Sequence, residues 1–472
     1  MLAVALFAAQ PSAAQGSLPA PKPAHSGDHQ VLRQGTGDGL PAYLYSKPRM
    51  SQDDIENKKE GTYFTGVPMV MYDTNKGFGL GARGFLIDNG KRASPLFDYT
   101  PYRHRTFLQL LATTGGWQMH KLDYDGLYVG DSAYRLRATA FFEKNTAATF
   151  FGIGSSSMSA LSWSGSGRSY ATFKALQADL RTIQPDGTVA TDYNLYELLR
   201  PGMKFSIERE FFGGKVRALV GASVRHASIT TYDGQRVQGD DPVTGRKNVD
   251  AIQGPTLLAE QCASGRITGC NGGWDNVLRL AVTLDTRDFE LDPNSGVFVA
   301  LGGQMSSTAF GSSSAYGRLL AELRGFYSPM PRVTDLVLAG HVTYEIQSSN
   351  TPFHSMPTLT FADGDVEGLG GLLSVRGYQQ NRFVGPVMAF TNVEIRWMPL
   401  KFHVAGQHFG IGIVPFFDSG RVYDQVALRF DKWRYGYGGG LRIAWNQATI
   451  VAADYGVSSE DRSFGMNFGY SF

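Results

Sequence analysis

The sequence predicts an all-β protein, a sixteen-stranded antiparallel transmembrane β-barrel, and three observations predict it. From about Tyr63 to Phe472 the chain repeats short segments of alternating apolar and polar residues, separated by Gly, Asn, Asp and Ser. The connections between these segments alternate between long and short along the chain. The final segment places Phe464, Met466, Phe468, Tyr470 and Phe472 on one face and Gly465, Asn467, Gly469 and Ser471 on the other.

Composition agrees with strands and turns. Glycine accounts for 57 of 472 residues and aromatics for 12%, while only 18% are charged. No run of 18 apolar residues exists, which excludes transmembrane helices, but strands that alternate can cross a bilayer at unremarkable mean hydropathy. A formal charge of +2 argues against nucleic acid as a partner.

In chain order, residues 1–14 read as a signal peptide. An apolar core, Leu2 to Ala9, precedes small residues that suit cleavage after Ala14. The basic start of such a signal is missing, so it is shortened or the true start lies upstream. Residues 15–60 carry Pro19, Pro21, Pro23, Pro41 and Pro48 with little apolar periodicity, which predicts a disordered periplasmic leader. The barrel occupies 61–472. About 410 residues divided into strands of roughly ten with their loops give sixteen strands.

With Phe472 taken as periplasmic, loop length sorts by side. Long connections fall near 144 to 197, 232 to 275, 347 to 387 and 419 to 434, all of one parity and therefore outer. Short ones fall at Gly130-Asp131, Gly213-Gly214, Pro329 to Arg332 and Asn446-Gln447, all of the other parity. The segment 89–103 breaks the rule, being long on the short side. Cys262 and Cys270 lie in the fourth outer loop, where one short disulfide is expected in an exported protein. Without nearby histidines they make a poor metal site.

Enzyme chemistry finds no foothold. Gly79-Leu80-Gly81-Ala82-Arg83-Gly84 has dinucleotide-fingerprint spacing, but it continues in strand alternation, not into a helix. No serine sits in a nucleophile-elbow context, and the nine histidines are scattered. The reading is of a non-enzyme with no cofactor, no metal and no catalytic residues.

Four segments carry more information. Asp285-Thr286-Arg287-Asp288, with Pro293 and Gly296, forms a charged turn into Val297-Phe298-Val299. Val375-Arg376-Gly377-Tyr378 lies in the long third-last outer loop, Asn392-Val393-Glu394-Ile395-Arg396 in the next strand, and Phe416-Phe417-Asp418-Ser419-Gly420 in the one after. Together with the terminal aromatics Phe468, Tyr470 and Phe472, which resemble the assembly signal of outer-membrane proteins, these segments resemble the BamA/TamA superfamily of bacterial surface antigens. The resemblance covers about 60 to 472 and is strongest after 276. It implies an outer-membrane location, a long loop folded into the lumen, and a loop arginine that pairs with acids on the inner wall.

An arginine facing hydrocarbon costs about 2.5 kcal/mol or more at the bilayer centre, so Arg376 must find water or an acid. Parity places Glu394 and Arg396 opposite Val393, Ile395 and Trp397, and places Asp418 on the face of Gly410 and Gly412. Arg376 is therefore expected to bind Asp418, Glu394 or both. The periplasmic polypeptide-transport-associated (POTRA) domains of the family, some seventy to eighty residues each by that resemblance, do not fit between Ala14 and residue 60. The expected function is a protein or lipid insertion or translocation barrel, monomeric, surrounded by outer-membrane lipid and served by a periplasmic or POTRA-bearing partner protein. A weak seam between Thr62 to Tyr72 and Phe464 to Phe472, thinned by Gly465 and Gly469, is the mechanistic requirement. A passive pore and a structural surface barrel are the alternatives.

Overall fold

A computed structural model describes residues 40–47, 49–50, 52–73, 76–290, 292–361, 364–404, 407–445 and 449–472. The expected signal peptide, the leader up to residue 39 and the Asn446-Gln447 turn lie outside the described residues.

Sixteen strands form one antiparallel sheet rolled into a barrel. They are β1 (Thr62–Asp73), β2 (Gly77–Asp88), β3 (His104–Thr113), β4 (Gln118–Gly126) and β5 (Tyr134–Thr149). Next come β6 (Leu195–Phe211), β7 (Val216–Thr230), β8 (Val277–Asp285), β9 (Gly296–Ser306), β10 (Tyr316–Tyr327) and β11 (Leu336–Gln347). The last five are β12 (Val387–Val404), β13 (Gln407–Tyr423), β14 (Arg434–Trp445), β15 (Thr449–Ser458) and β16 (Arg462–Phe468). Each strand pairs antiparallel with the next. β1 and β16 lie side by side, yet among the described residues no backbone ladder joins them, so the barrel is nearly closed.

The alternation in the sequence becomes an inside-out protein. On β10, Leu319, Leu323 and Tyr327 are exposed outward, while Arg318, Glu322 and Arg324 are buried inward. On β8, Leu278, Leu280, Val282 and Leu284 point out, against Ala281 and Thr283 inside. An apolar belt of this kind suits lipid, and the charged interior suits a lumen. No helix among the described residues is long and apolar enough to cross a membrane.

The last strand departs from expectation. Phe464 and Met466 are exposed on the outer face, but the ladder stops at Phe468. Gly469 adopts φ +89°, a left-handed conformation that glycine takes without strain, and the tail turns inward. Tyr470 and Phe472 therefore lie in the lumen and do not continue the lipid-facing stripe. The physical reason is a cation: Arg396 lies over both rings, 3.9 and 4.8 Å from their centroids, and donates to the Phe472 main-chain oxygen at 2.8 Å. The Phe472 ring also stacks on His341 at 5.0 Å.

Residues 40–60, read from the sequence as disordered, are ordered where the structure describes them. A short turn of 3-10 helix, Ala42–Leu44, and α1 (Gln52–Asn57) lie across the short-turn end of the barrel. Leu44, Met50 and Ile55 are buried there against Leu96, Phe97, Tyr102, Leu127 and Tyr128. That contact also explains the long connection 89–103: it supplies the other half of a small core. Tyr43 stacks on Tyr128 at 5.0 Å, and Lys47 reaches Glu210 at 2.6 Å. Lys58 donates to the carbonyls of Phe97 and Thr100 at 2.6 and 2.5 Å.

On the other side, the connections 150–194 and 231–276 build a cap that contains α2 (Phe173–Leu180) and α3 (Leu257–Ala263). Thr172 and Thr256 cap these helices by accepting from the third residue onward. Cys262 and Cys270 form a disulfide at the end of α3.

Burial pushes the Lys58 amine down to about 8, with Asp98 acting in the opposite direction. A base whose pKa falls on docking binds fewer protons when docked, so docking of 40–60 should strengthen as pH rises from about 8 toward the undocked value of 10.5. Limited proteolysis of the segment should slow over that window in the wild type, and the pH dependence should vanish in Lys58→Met. Lys47→Ala should speed cleavage several-fold at all pH values, because it leaves Glu210 with one partner fewer.

Candidate functional site

The connection from β11 to β12, residues 348–386, starts on the capped side and folds into the lumen. Leu359, Phe361, Leu369, Val375, Tyr378 and Phe383 pack there with Met388, Phe390 and Val422 of the wall. The loop is a plug with its own core, which fixes where its tip can go. Ser374 ties the tip together, because its hydroxyl accepts from Gly370 N at 3.0 Å and donates to Gly368 O or Gly370 O, at 2.8 and 2.9 Å. Tyr378 packs edge-on against Phe383 at 5.0 Å, and Gly377 turns the chain at φ +95°.

Arg376 sits between these residues with no exposed surface. Its Nε and Nη2 donate to the two oxygens of Asp418 at 2.7 and 2.8 Å, a bidentate fork, and its main-chain N donates to the same carboxylate at 3.0 Å. Nη1 donates to Glu394 at 2.8 Å and to Ser471 Oγ at 3.0 Å. The guanidinium lies over the Phe416 ring, 3.5 Å from its centroid. Asp454 stands 3.7 Å away.

The wall is built in register to receive it. Asn392 on β12 faces Asp418 on β13 across the ladder and donates to it at 2.8 Å. Glu394, two residues further along β12, shares that inward face and gives its second oxygen to Arg396 at 2.9 Å. Arg442 on β14 pairs with Asp454 on β15 at 2.6 Å. Three cations, Arg376, Arg396 and Arg442, thus meet three carboxylates, Glu394, Asp418 and Asp454. Neutralisation of this kind is what a desolvated charge requires, since a single unpaired member would carry its whole desolvation cost.

Glycines make the space. A Cβ on Gly436 of β14 would collide with the Arg376 carbonyl, and one on Gly456 of β15 would lie 2.7 Å from Gly377 N. The run Gly436-x-Gly438-x-Gly440 puts three glycines on one face of β14, and that face is the cradle of the motif. It was visible in the sequence as a glycine alternation with nothing to say what approached it. Asp454, Phe416 and Ser471 are also absent from the sequence-level site; Asp454 was legible only by its parity with Ala452 and Gly456.

The loop also reaches the seam. Gly377 N donates to Ser463 Oγ on β16 at 3.0 Å, and Ser458 Oγ donates to Gly377 O at 2.8 Å. The Tyr378 hydroxyl bonds Ser459 at 3.1 Å, and Gln379 bonds Asp461 in the β15–β16 turn. Gln380 accepts from Lys76, in the turn between β1 and β2, at 3.1 Å. One short stretch of loop therefore bonds to the hairpins on both sides of the unladdered seam.

Arg396, grouped with Asp418 and Glu394 as a wall residue, does not touch Arg376; it bridges Glu394 to the inturned tail. The turn from Asp285 to Gly296 folds back into the short-turn end of the lumen. Asp285 accepts from Arg287 at 2.9 Å on each oxygen and from Arg217 at 3.0 Å. Asp288 Oδ1 accepts from the main-chain N of Phe289 and Asn294 at 2.9 Å and of Ser295 at 3.2 Å, closing the turn. Pro293 is buried, and Gly296 stands at φ +106°, where a Cβ would collide with the Thr286 carbonyl. Glu290 reaches Arg135 at 2.9 Å. Burial pushes the Glu290 carboxyl up, but Arg135, Arg217, Arg137 and Arg287 outweigh it and hold the group well below the usual range. The Phe468 side chain lies outside the described residues.

The Omp85 superfamily domain matches residues 135–472, and a domain of unknown function (DUF5982) matches residues 40–103. The second match spans the segment 40–60 and the connection 89–103 that share one core. Among solved structures, BamA from Haemophilus ducreyi lacking POTRA domains 1–3 is 12% identical, with a TM-score of 0.47 over 87% of this chain and 70% of that one. CdiB from Escherichia coli is 10% identical, with a TM-score of 0.48 over 90% and 74% of the two chains. CdiB from Acinetobacter baumannii is 10% identical, with a TM-score of 0.43 over 88% and 60%. No curated protein matches the chain.

Arg376→Ala should destabilise the detergent-folded barrel by about 3–5 kcal/mol, the cost of stranding one side of a buried pair, as read by urea titration of tryptophan fluorescence. Arg376→Lys, which keeps the charge but loses the fork, should cost less. Gly436→Val should expose the loop to protease although it removes no polar contact.

Proposed function

The chain belongs to the Omp85 superfamily, and from that membership we propose that it is an outer-membrane insertion or translocation barrel in which the lumen loop holds the seam shut. The observation that carries this reading is the set of loop bonds to both hairpins flanking β1 and β16. Loop position and seam state are then one variable: while Arg376 is seated, Gly377 to Gln380 stay against β16 and the β1–β2 turn. When it leaves, the last hairpin loses those bonds and an edge is free to pair with an incoming strand.

The inturned tail supports the same reading. Gly469 ends the last ladder early, so β16 offers β1 fewer residues than its sequence alternation extends. Ser471 touches Arg376 itself, which places the tail and the loop in one hydrogen-bonded cluster. On this reading the surroundings are outer-membrane lipid, and a POTRA-bearing periplasmic partner presents the client. The ordered segment 40–60 covers the short-turn face where such a partner would arrive. A freely conducting pore is the less favoured reading, because the loop fills the lumen with a packed apolar core.

A reversible lock tests this. A Cβ on Gly420 would lie 2.8 Å from Val375 Cγ2, so Val375→Cys with Gly420→Cys should form a disulfide that fixes the loop to β13. In planar bilayers the wild type should be mostly closed, Arg376→Ala should open in bursts, and the oxidised lock should stay closed. Cells depending on the locked protein should show altered outer-membrane composition, and the single-cysteine variants should not. Steady wild-type conductance that the lock leaves unchanged would overturn the proposal in favour of a pore.

A further inference from the structure

We infer that the outer cap carries a glycan-binding cleft, formed where the connection 150–194 meets α3. The cleft has a volume of about 520 Å³, within the range of small-ligand sites, and opens on the side of the long loops. Its chemistry is mixed in the way a pyranose ring demands. Sugars present flat C–H faces that stack on aromatic rings and a rim of hydroxyls that both donate and accept. Trp163 and Tyr193 supply the rings, packed edge to face at 6.1 Å, and Asn194, Gln261 and a run of serines supply the polar rim.

The aromatic wall is fixed before any ligand arrives. Trp163 Nε1 donates to Asp179 at 2.6 Å, and the Tyr170 hydroxyl donates to the same oxygen at 2.6 Å. Glu260 takes the Tyr193 hydroxyl at 3.0 Å and Ser164 Oγ at 2.6 Å. A Cβ on Gly165 would collide with the Trp163 ring, so that glycine is what lets the indole lie where it does. The Cys262–Cys270 disulfide closes the end of the helix that carries Gln261, keeping the opposite wall in place. A rigid wall reduces the ordering cost of binding.

One buried polar atom of the lining waits unused. Asn194 is 5% exposed and donates to Phe150 O at 3.0 Å, but its Oδ1 finds no partner among the described residues. A buried polar atom left without a partner costs free energy, which a ligand hydroxyl would recover. Of the two arginines that line the cleft, Arg382 is paired with Glu460 at 2.7 Å, whereas Arg168 at its rim is exposed and has no ion pair among the described residues. The site therefore favours a sugar that bears a carboxylate or phosphate over a neutral one. A purely apolar chain would leave the serines and Asn194 Oδ1 unmatched.

The test uses the full barrel in detergent with two probes, deacylated lipopolysaccharide as an acidic glycan and maltotriose as a neutral one. Binding is read by saturation-transfer NMR and tryptophan fluorescence. Saturable binding of the acidic probe, at least tenfold tighter than maltotriose, is expected. Trp163→Ala should weaken it more than tenfold, and Arg168→Ala should erase the preference while sparing maltotriose. Because removing Trp163 could loosen the cap, Ser162→Trp, which fills the cleft without deleting packing, should also abolish binding. If maltotriose binds as well as the acidic probe, the assignment of an acidic sugar is overturned. If neither probe saturates, or if Ser162→Trp leaves binding unchanged, the glycan site itself is overturned.

Discussion

The rest of the architecture depends on one desolvated cation. Arg376 has no exposed surface and lies inside the lumen, so every bond it makes must come from the wall or from the inturned tail. Asp418 answers with a fork, Glu394 with a third hydrogen bond and Phe416 with the face of a ring. Each answer constrains a strand. Asp418 and Asn392 must be in register on β13 and β12, Glu394 must share their face, and β14 and β15 must be bare of side chains where the loop backbone passes. The glycines at 436 and 456 are as necessary to the arginine as the acids are.

This arrangement inverts a soluble protein. Leucines and aromatics face lipid, and ion pairs make the interior, where a low dielectric strengthens each pair and punishes each omission. The two mouths are treated differently. On the outer side, helices, a disulfide and two aromatic-rich clusters make a thick cap. On the other, the segment 40–60 and the connection 89–103 share a small core held by Lys47, Lys58 and Tyr43. The barrel wall between them is continuous except at β1 and β16.

Much of this was legible in the sequence, for a physical reason: a two-residue period survives in any strand with one wet and one greasy face. Strand number, loop parity and the inward faces of Glu394, Arg396 and Asp418 all follow from that period. The tail did not follow, because alternation reads the same on both sides of a bend. Gly469 changes direction without changing parity, so Tyr470 and Phe472 look like two more lipid-facing residues. Residues 40–60 were misread for a related reason: Leu44, Met50 and Ile55 have no regular spacing, and their burial depends on Leu96 and Phe97, some fifty residues away. The glycine cradle was visible as composition, but nothing in one dimension says which backbone approaches it.

The central claim is that the seated loop and the closed seam are one state. Amide hydrogen exchange in β16 reads that coupling without assuming any client. In detergent-folded protein, Arg376→Ala should lose protection along Arg462 to Phe468 and in the β15–β16 turn, while the β8–β9 and β9–β10 hairpins, remote from the loop tip, keep theirs. If β16 stays as protected in the variant as in the wild type while the loop itself exchanges freely, the loop does not hold the seam and the account is wrong.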